Sequence, residues 1–172
     1  VAITLGAGAL PVHAVAAIHQ SSLAGLMTTE ASGISSPEDL PGRTIGDQPG
    51  SVNQVLFPVY ADAAGIDPDS VTFIASAPPS LPQLLAAKSV DAIGQLAVGE
   101  PLIQSAIGSD TPLFLPYSDF LPELYGNALI ASDEFVAADP ELAERFVAAL
   151  LKGLKYAVEN PEEAGAILTE YQ

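Results

Sequence analysis

Short apolar runs suited to β-strands alternate with helix-period patterns through most of this 172-residue chain, and that alternation restricts the fold more than any other feature. Residues 12–18 (VHAVAAI) form a continuous run of small apolar side chains, the pattern expected of a strand covered on both faces. Residues 26–29 offer a second strand. Residues 33–42 read as a turn-rich connector in which Ser36 can cap a helical turn, with Pro37 first and the Asp39 carboxylate facing free N–H groups. A strand at 44–47 (TIGD) leads through Pro49-Gly50-Ser51 into a helical pattern. That helix is expected to place Val52, Val55, Leu56, Val59 and Ala63 on its core face and to stop at Gly65. Pro58 should kink or split it. Strand, helix, strand, helix and strand then follow at 71–76, 81–88, 92–97, 100–107 and 113–117. Such alternation predicts an α/β fold, a parallel sheet with helices on both faces.

From residue 132 the pattern is helical alone. Asp139-Pro140 opens a helix with the stripe Leu142, Phe146, Ala149, Leu150, Gly153 and Ala157. Asn160 is placed as N-cap of another, with Pro161 first, Glu163 at the capping-box position and Ala164, Ile167, Leu168 and Tyr171 on its apolar face. Phe57, Tyr60, Phe73 and Phe146 lie at core spacing and read as packing.

Composition narrows the function. The chain is 49% apolar, enough for a genuine core, yet carries 21 acids against 5 bases, a net charge of −16. Nucleic acid and anionic membrane surfaces are therefore poor partners. The acids are dispersed, which reads as a solvated surface. The absence of cysteine removes disulfides, thiolate metal sites and cysteine nucleophiles. With His13 and His19 the only histidines, no His-rich zinc site and no cofactor are expected. The apolar first twenty residues are interrupted by Pro11, His13 and His19 and have no preceding Lys or Arg, so a buried strand fits better than a signal peptide or a membrane span. No nucleophile elbow, Walker loop or Rossmann fingerprint occurs, and Lys152 and Lys155 lie on a solvated-face pattern. A binding protein is expected, not an enzyme.

The sharpest candidate contact is the turn holding Gly50, Ser51, Val52 and Asn53. It follows a strand and opens a helix, where free N–H groups meet the positive end of the helix dipole. Ser51 serves equally well as a plain helix cap. Glu100, just past the strand at 92–97, either pairs with a ligand amino group or simply complements a helix dipole. Gln95, inside that strand, needs a partner, and backbone would suffice. Tyr125 and Asn127 offer a stacking ring beside an amide, or a turn with a packed tyrosine. His13 fits a satisfied core histidine better than a contact, but stands as a candidate.

The order of these segments resembles a known family. GISSPEDLPGRTIG (33–46), PGSVN (49–53) and LLAAKSVDAIGQL (84–96) are similar to the central lobe of type 2 periplasmic binding proteins. Residues 125–168, from YGNALIASDEF onward, resemble the returning lobe. PVHAVAAIHQ (11–20) reads like the branch that binds the pyrimidine precursor of thiamine, related to the nitrate, sulfonate and taurine receptors. The resemblance implies two α/β lobes joined by hinge strands near 26–32 and 111–117, with residues 33–110 as lobe two, and 1–32 and 111–172 contributing to lobe one. A small-molecule ligand would be clamped between them, and the closed form recognised by the membrane permease of an ABC importer. The implied setting is extracytoplasmic, periplasmic or as a cell-surface lipoprotein, and the expected state is a monomer. A complete member is larger, so the chain is expected to be a fragment or to lack segments.

Residues 33–110 carry only Arg43 and Lys88 as bases, away from the candidate contacts, so a neutral or weakly cationic heterocycle suits Glu100, Tyr125 and Asn127 better than an anion. A sulfonate, taurine or nitrate receptor of the same fold, and a ligand-sensing domain of a signalling protein, remain alternatives. A related enzyme branch makes the thiamine pyrimidine and resembles a family with a cysteine-rich iron-binding motif, which this chain lacks.

Overall fold

The computed structural model describes residues 10–171. The chain forms two compact units, one of residues 19–126 and the other of residues 10–18 with 127–171.

The unit of residues 19–126 is built on five strands: β2 (Ala24–Thr29), β3 (Thr44–Asp47), β4 (Thr72–Ala75), β5 (Ala92–Leu96) and β6 (Pro112–Pro116). Their order is β4-β3-β5-β2-β6. The predicted α/β class holds, but the sheet is mixed. β3 runs parallel to β4 and β5, whereas β2 is antiparallel to both β5 and β6. The alternation argument failed at β2 because no helix separates it from the chain before it. It enters from the end of the sheet at which β3, β4 and β5 finish. The segments expected as hinge crossings at 26–32 and 111–117 are largely strands of this sheet, and the chain passes between the units at 18/19 and 126/127.

Helix α1 (Val52–Ala64) covers one face of the sheet; α2 (Leu81–Ala86) and α3 (Glu100–Ile107) cover the other. Two buried clusters result, one around Leu26, Ile45, Leu56, Phe57, Tyr60 and Tyr117, the other around Met27, Leu81, Leu85, Ile93 and Ile103. The predicted phase of α1 is wrong. Asn53, Leu56, Phe57, Tyr60 and Ala61 are buried, while Val52, Val55 and Val59 are 52%, 50% and 55% exposed. The aromatic residues decide the rotation. Tyr60 stacks on Tyr117 with ring centroids 4.3 Å apart, and Phe57 meets Phe73 edge-on at 5.1 Å, a larger apolar area than three valines supply. Pro58 does not split α1, which runs unbroken from Val52 to Ala64 with Pro58 on its exposed face. The Asp39 carboxylate accepts from the N–H groups of Ser35 (2.9 Å) and Ser36 (3.2 Å), as the connector pattern predicted.

The second unit pairs β1 (Val12–Ala17) antiparallel to β7 (Ala128–Ser132), followed by α4 (Asp133–Ala138), α5 (Pro140–Glu159) and α6 (Pro161–Glu170). β1 is a strand, but its residues are exposed or half-buried rather than covered on both faces. A two-stranded sheet is also too narrow to cover a 20-residue helix about 30 Å long. Among the described residues of α5 only Ala143 is buried, and Phe146, expected as packing, is 57% exposed. Asn160 does not cap α6 with its side chain; its Nδ2 donates back to the Tyr156 carbonyl at 3.0 Å.

Candidate functional site

The parallel strands β3, β4 and β5 finish at one end of the sheet. Because β2 runs against them, its entry segment lies at the same end, tied there by Ala97 N–H donating to the Leu23 carbonyl at 2.9 Å. This rim gathers residues 19–23, 47–53, 76–78, 96–100 and 117–126. Carboxyl ends of strands in open α/β sheets are where ligands bind, because helix N-termini and short loops converge there.

At the end of β3, Asp47 is buried. Its Oδ1 accepts from Gln48 N–H at 2.7 Å, and its Oδ2 accepts the Ser51 hydroxyl proton. Ser51 Oγ in turn accepts from Gln54 N–H at 3.0 Å, so the cap reading of Ser51 holds and its proton is committed inward. Gly50 turns the chain with φ 76°, a left-handed backbone that glycine adopts without a steric cost, and its N–H donates to Gln54 Oε1 at 2.8 Å. Asn53 is buried rather than presented: Oδ1 accepts from Gly25 N–H at 3.1 Å, and its carbonyl accepts from Tyr117 Oη at 3.1 Å. Burial holds the Tyr117 hydroxyl proton well above the ordinary phenol range. The first N–H groups of α1 cannot find intrahelical partners. Those of Ser51 and Gln54 are taken, and among the described hydrogen bonds none occupies the N–H of Val52 or Asn53. An open hollow of about 400 Å³ lies beside this turn, lined by Gln48, Pro49 and residues 75–78.

Glu100 is the first residue of α3, exposed, at the end of β5. Gln95 is satisfied by backbone, its Oε1 accepting from Leu96 N–H at 2.8 Å. Tyr125 is 64% exposed beside Gly126, whose N–H donates to the His19 carbonyl at 3.0 Å. Asn127 and His13 belong to the other unit. There the Asn127 carbonyl accepts from Ile18 N–H at 2.8 Å. His13 is neither a core residue nor buried: it is an exposed position of β1, and its Nδ1 pairs with Asp133 Oδ1 at 2.7 Å.

The structure thus brings Gly50, Ser51, Val52, Asn53, Glu100 and Tyr125 to one sheet end. Sequence reasoning passed over three residues there. Asp47 had a signal, a lone carboxylate ending an otherwise apolar strand. Ser76 lines the hollow, and His19 was read as an interruption of an apolar run and, with His13, as too little for a zinc site, not as a contact. A concavity of similar volume at the opposite end, lined by Thr29, Lys88, Ser109 and Asp110 among others, lies where β5 and β6 begin.

A two-unit α/β chain with a mixed five-stranded sheet and a polar rim at its carboxyl end has the architecture of periplasmic binding proteins. The aliphatic sulphonate-binding protein SsuA of Escherichia coli superposes with a TM-score of 0.78 at 17% identity, over 98% of this chain and 57% of that one. The alkanesulfonate-binding SsuA of Xanthomonas axonopodis pv. citri, bound to MOPS, gives 0.66 at 20% identity over 98% and 56%. The chain belongs to the NMT1/THI5 like family, whose model matches residues 3–164. The formylaminopyrimidine-binding protein of Halalkalibacterium halodurans is 29% identical over 163 residues, 95% of this chain and 49% of that protein. The riboflavin-binding protein RibY of Chloroflexus aurantiacus is 29% identical over 157 residues, 90% and 44% respectively. The chain spans about half the length of the curated relatives it matches. These relatives are binding proteins. Among the described residues no helix is long and apolar enough to cross a membrane.

Proposed function

We propose that this chain forms part of an extracytoplasmic solute-binding receptor, not an enzyme, which captures a small heterocycle and delivers it to the permease of an ABC importer. The observation that carries this reading is the rim at the carboxyl ends of β3, β4 and β5. There the N–H groups of Val52 and Asn53, without partners among the described hydrogen bonds, can receive a ligand acceptor, and a hollow of about 400 Å³ lined by Gln48, Pro49 and residues 75–78 opens at the same end of the sheet. Relatives named for a formylaminopyrimidine and for riboflavin favour a flat nitrogen heterocycle. Tyr125 supplies an exposed ring for stacking, and Glu100 an exposed carboxylate for an amino group. Gly50 and Ser51 act by shaping the turn. Asn127 and His13 belong to the other unit and are not part of this rim.

The sulfonate reading is favoured by one observation, the likeness to two SsuA folds, but at 17% and 20% identity that likeness concerns the fold alone. The experiment is thermal unfolding of the full-length protein against aminopyrimidines, riboflavin, taurine, an alkanesulfonate and nitrate. A ligand at a hundred times its dissociation constant adds about 2.7 kcal/mol of stability, a visible shift. A shift with the heterocycles alone is expected. A shift with the sulfonates instead would replace the ligand class and keep the receptor.

A further inference from the structure

We propose that His19 is a specificity-determining residue, donating from Nε2–H to an acceptor atom of the bound heterocycle; this rests on the receptor reading above. His19 opens the entry segment of β2 and therefore lies on the rim. Its ring is half-buried, with Nδ1 inaccessible and without any hydrogen-bond partner, the one buried side-chain polar atom so placed among the described residues. Native structures rarely leave a buried polar atom unpaired, and such an atom marks a constraint imposed by something other than folding.

The constraint is local and tight. Gly126 packs directly against His19: a β-carbon at residue 126 would stand 2.6 Å from the Ser21 carbonyl oxygen and 2.7 Å from His19 Cβ. The backbones are pinned to each other by Gly126 N–H donating to the His19 carbonyl (3.0 Å) and Ser22 N–H to the Leu124 carbonyl (2.8 Å). Residue 19 is thus held against Gly126, the neighbour in sequence of the exposed Tyr125. Of the two neutral tautomers, a proton on Nδ1 would bury an N–H donor with nothing to receive it, and orphaned donors are the rarer and costlier case. In the neutral ring the proton therefore sits on Nε2, which is then the ring's single donor. That donor selects an acceptor, a ring nitrogen or carbonyl oxygen, on the edge of a bound heterocycle.

Two measurements on the full-length protein test this, both with 4-amino-5-hydroxymethyl-2-methylpyrimidine as the probe. The first is a two-bond ¹H–¹⁵N correlation spectrum of the imidazoles at about pH 8, where histidine is neutral, with His13→Asn identifying the His19 signals. The Nε2–H tautomer is expected without ligand, and the probe should shift Nε2 more than Nδ1. The second is affinity in three variants. His19→Gln places an amide nitrogen near the Nε2 position and should keep affinity within about fivefold. His19→Asn places it at the Nδ1 position, and it and His19→Phe should each lose about tenfold or more. Ligand-free melting temperatures should stay within a few degrees of wild type, because Nδ1 has no bond to lose. An Nδ1–H tautomer, an equal loss in the Gln and Asn variants, or wild-type affinity in His19→Phe would overturn the role of His19 and leave the receptor standing. Wild-type protein that binds taurine and not the pyrimidine would overturn the heterocycle and the His19 role together.

Discussion

The side-chain oxygen of Asn53 accepts a hydrogen bond from the backbone N–H of Gly25 at 3.1 Å, fastening the first turn of α1 to a strand 28 residues earlier. The Asn53 carbonyl also receives the Tyr117 hydroxyl. Gly25 pairs in register with Gln95 and Pro116, so this bond joins α1 to the centre of the sheet. Both atoms are buried, and losing one partner leaves the other unsatisfied. Asn53→Ala should cost about 1–3 kcal/mol in urea unfolding. If Asn53 were instead a pure ligand contact, the unfolding midpoint would not move and affinity alone would fall.

The exposed stripe of α1 gives an opposite pair of outcomes. Val55→Thr changes a side chain half in water and should stay within about 0.5 kcal/mol of wild type. Phe57→Ala empties a site that is 1% exposed and edge-packed on Phe73, and should cost about 3–5 kcal/mol. Equilibrium denaturation of both variants decides which face of the helix is the core. The reverse order of costs would restore the phase that the valines suggest.

That helix also marks how far the sequence could be read. Its limits were legible from Ser51 and Gly65, because caps are local chemistry between residues a few positions apart. Its rotation was not, because Tyr60 acquires its weight from Tyr117, 57 positions away, and no helical period carries that information. The same division runs through the rest of the chain. β3, β5 and α3 were found from local pattern and composition. The antiparallel sense of β2 depends on partners at 92–96 and 112–116, and the exposure of β1 depends on its pairing with β7 alone among the described residues. At the rim, Ser51 and Glu100 announced themselves by position after a strand. The commitment of Asn53 inward and the unpaired state of His19 Nδ1 are properties of packing, visible only once the segments 19–22 and 124–126 lie side by side.

Acid should weaken the 19–126 unit partly through Asp91. Burial alone would raise its carboxyl, but the N–H (2.8 Å) and hydroxyl (2.7 Å) of Thr44 and the Arg43 guanidinium (3.6 Å) outweigh burial and hold it below the ordinary aspartate value. A carboxyl depressed on folding contributes stability above its unfolded value, near about pH 3.9, and that stability is lost as pH falls through the lower folded value. Asp91→Asn should cost on the order of 1 kcal/mol at pH 7, held low because the side chain is a third exposed. It should also flatten the fall in urea midpoint below about pH 4. Asp39 and Asp110, also depressed, keep some acid sensitivity in the variant. An unchanged acid slope would mean that the Thr44 bonds do not favour the ionised form.

Gly94 sits in β5 directly against the carboxylate of Asp47, so a methyl group there would occupy the space of that carboxylate. Asp47 cannot yield cheaply, since it is buried and committed to Gln48 N–H and to Ser51. Gly94→Ala should therefore cost about 1–3 kcal/mol and displace the turn that opens α1. Gly46, one strand away, is a fair control: a β-carbon there would meet Leu81 Cδ2 and Val90 Cγ1 at 3.4 Å, close to ordinary contact with side chains able to adjust. Under the receptor reading, Gly94→Ala should also weaken heterocycle binding by about tenfold, because the Val52 and Asn53 N–H groups move with Ser51, while Gly46→Ala should bind as wild type. Calorimetric titration of the two folded variants separates these effects. Equal affinities would mean that the ligand does not depend on the turn held by Asp47, and the contact would then be sought at Tyr125 and Glu100 alone.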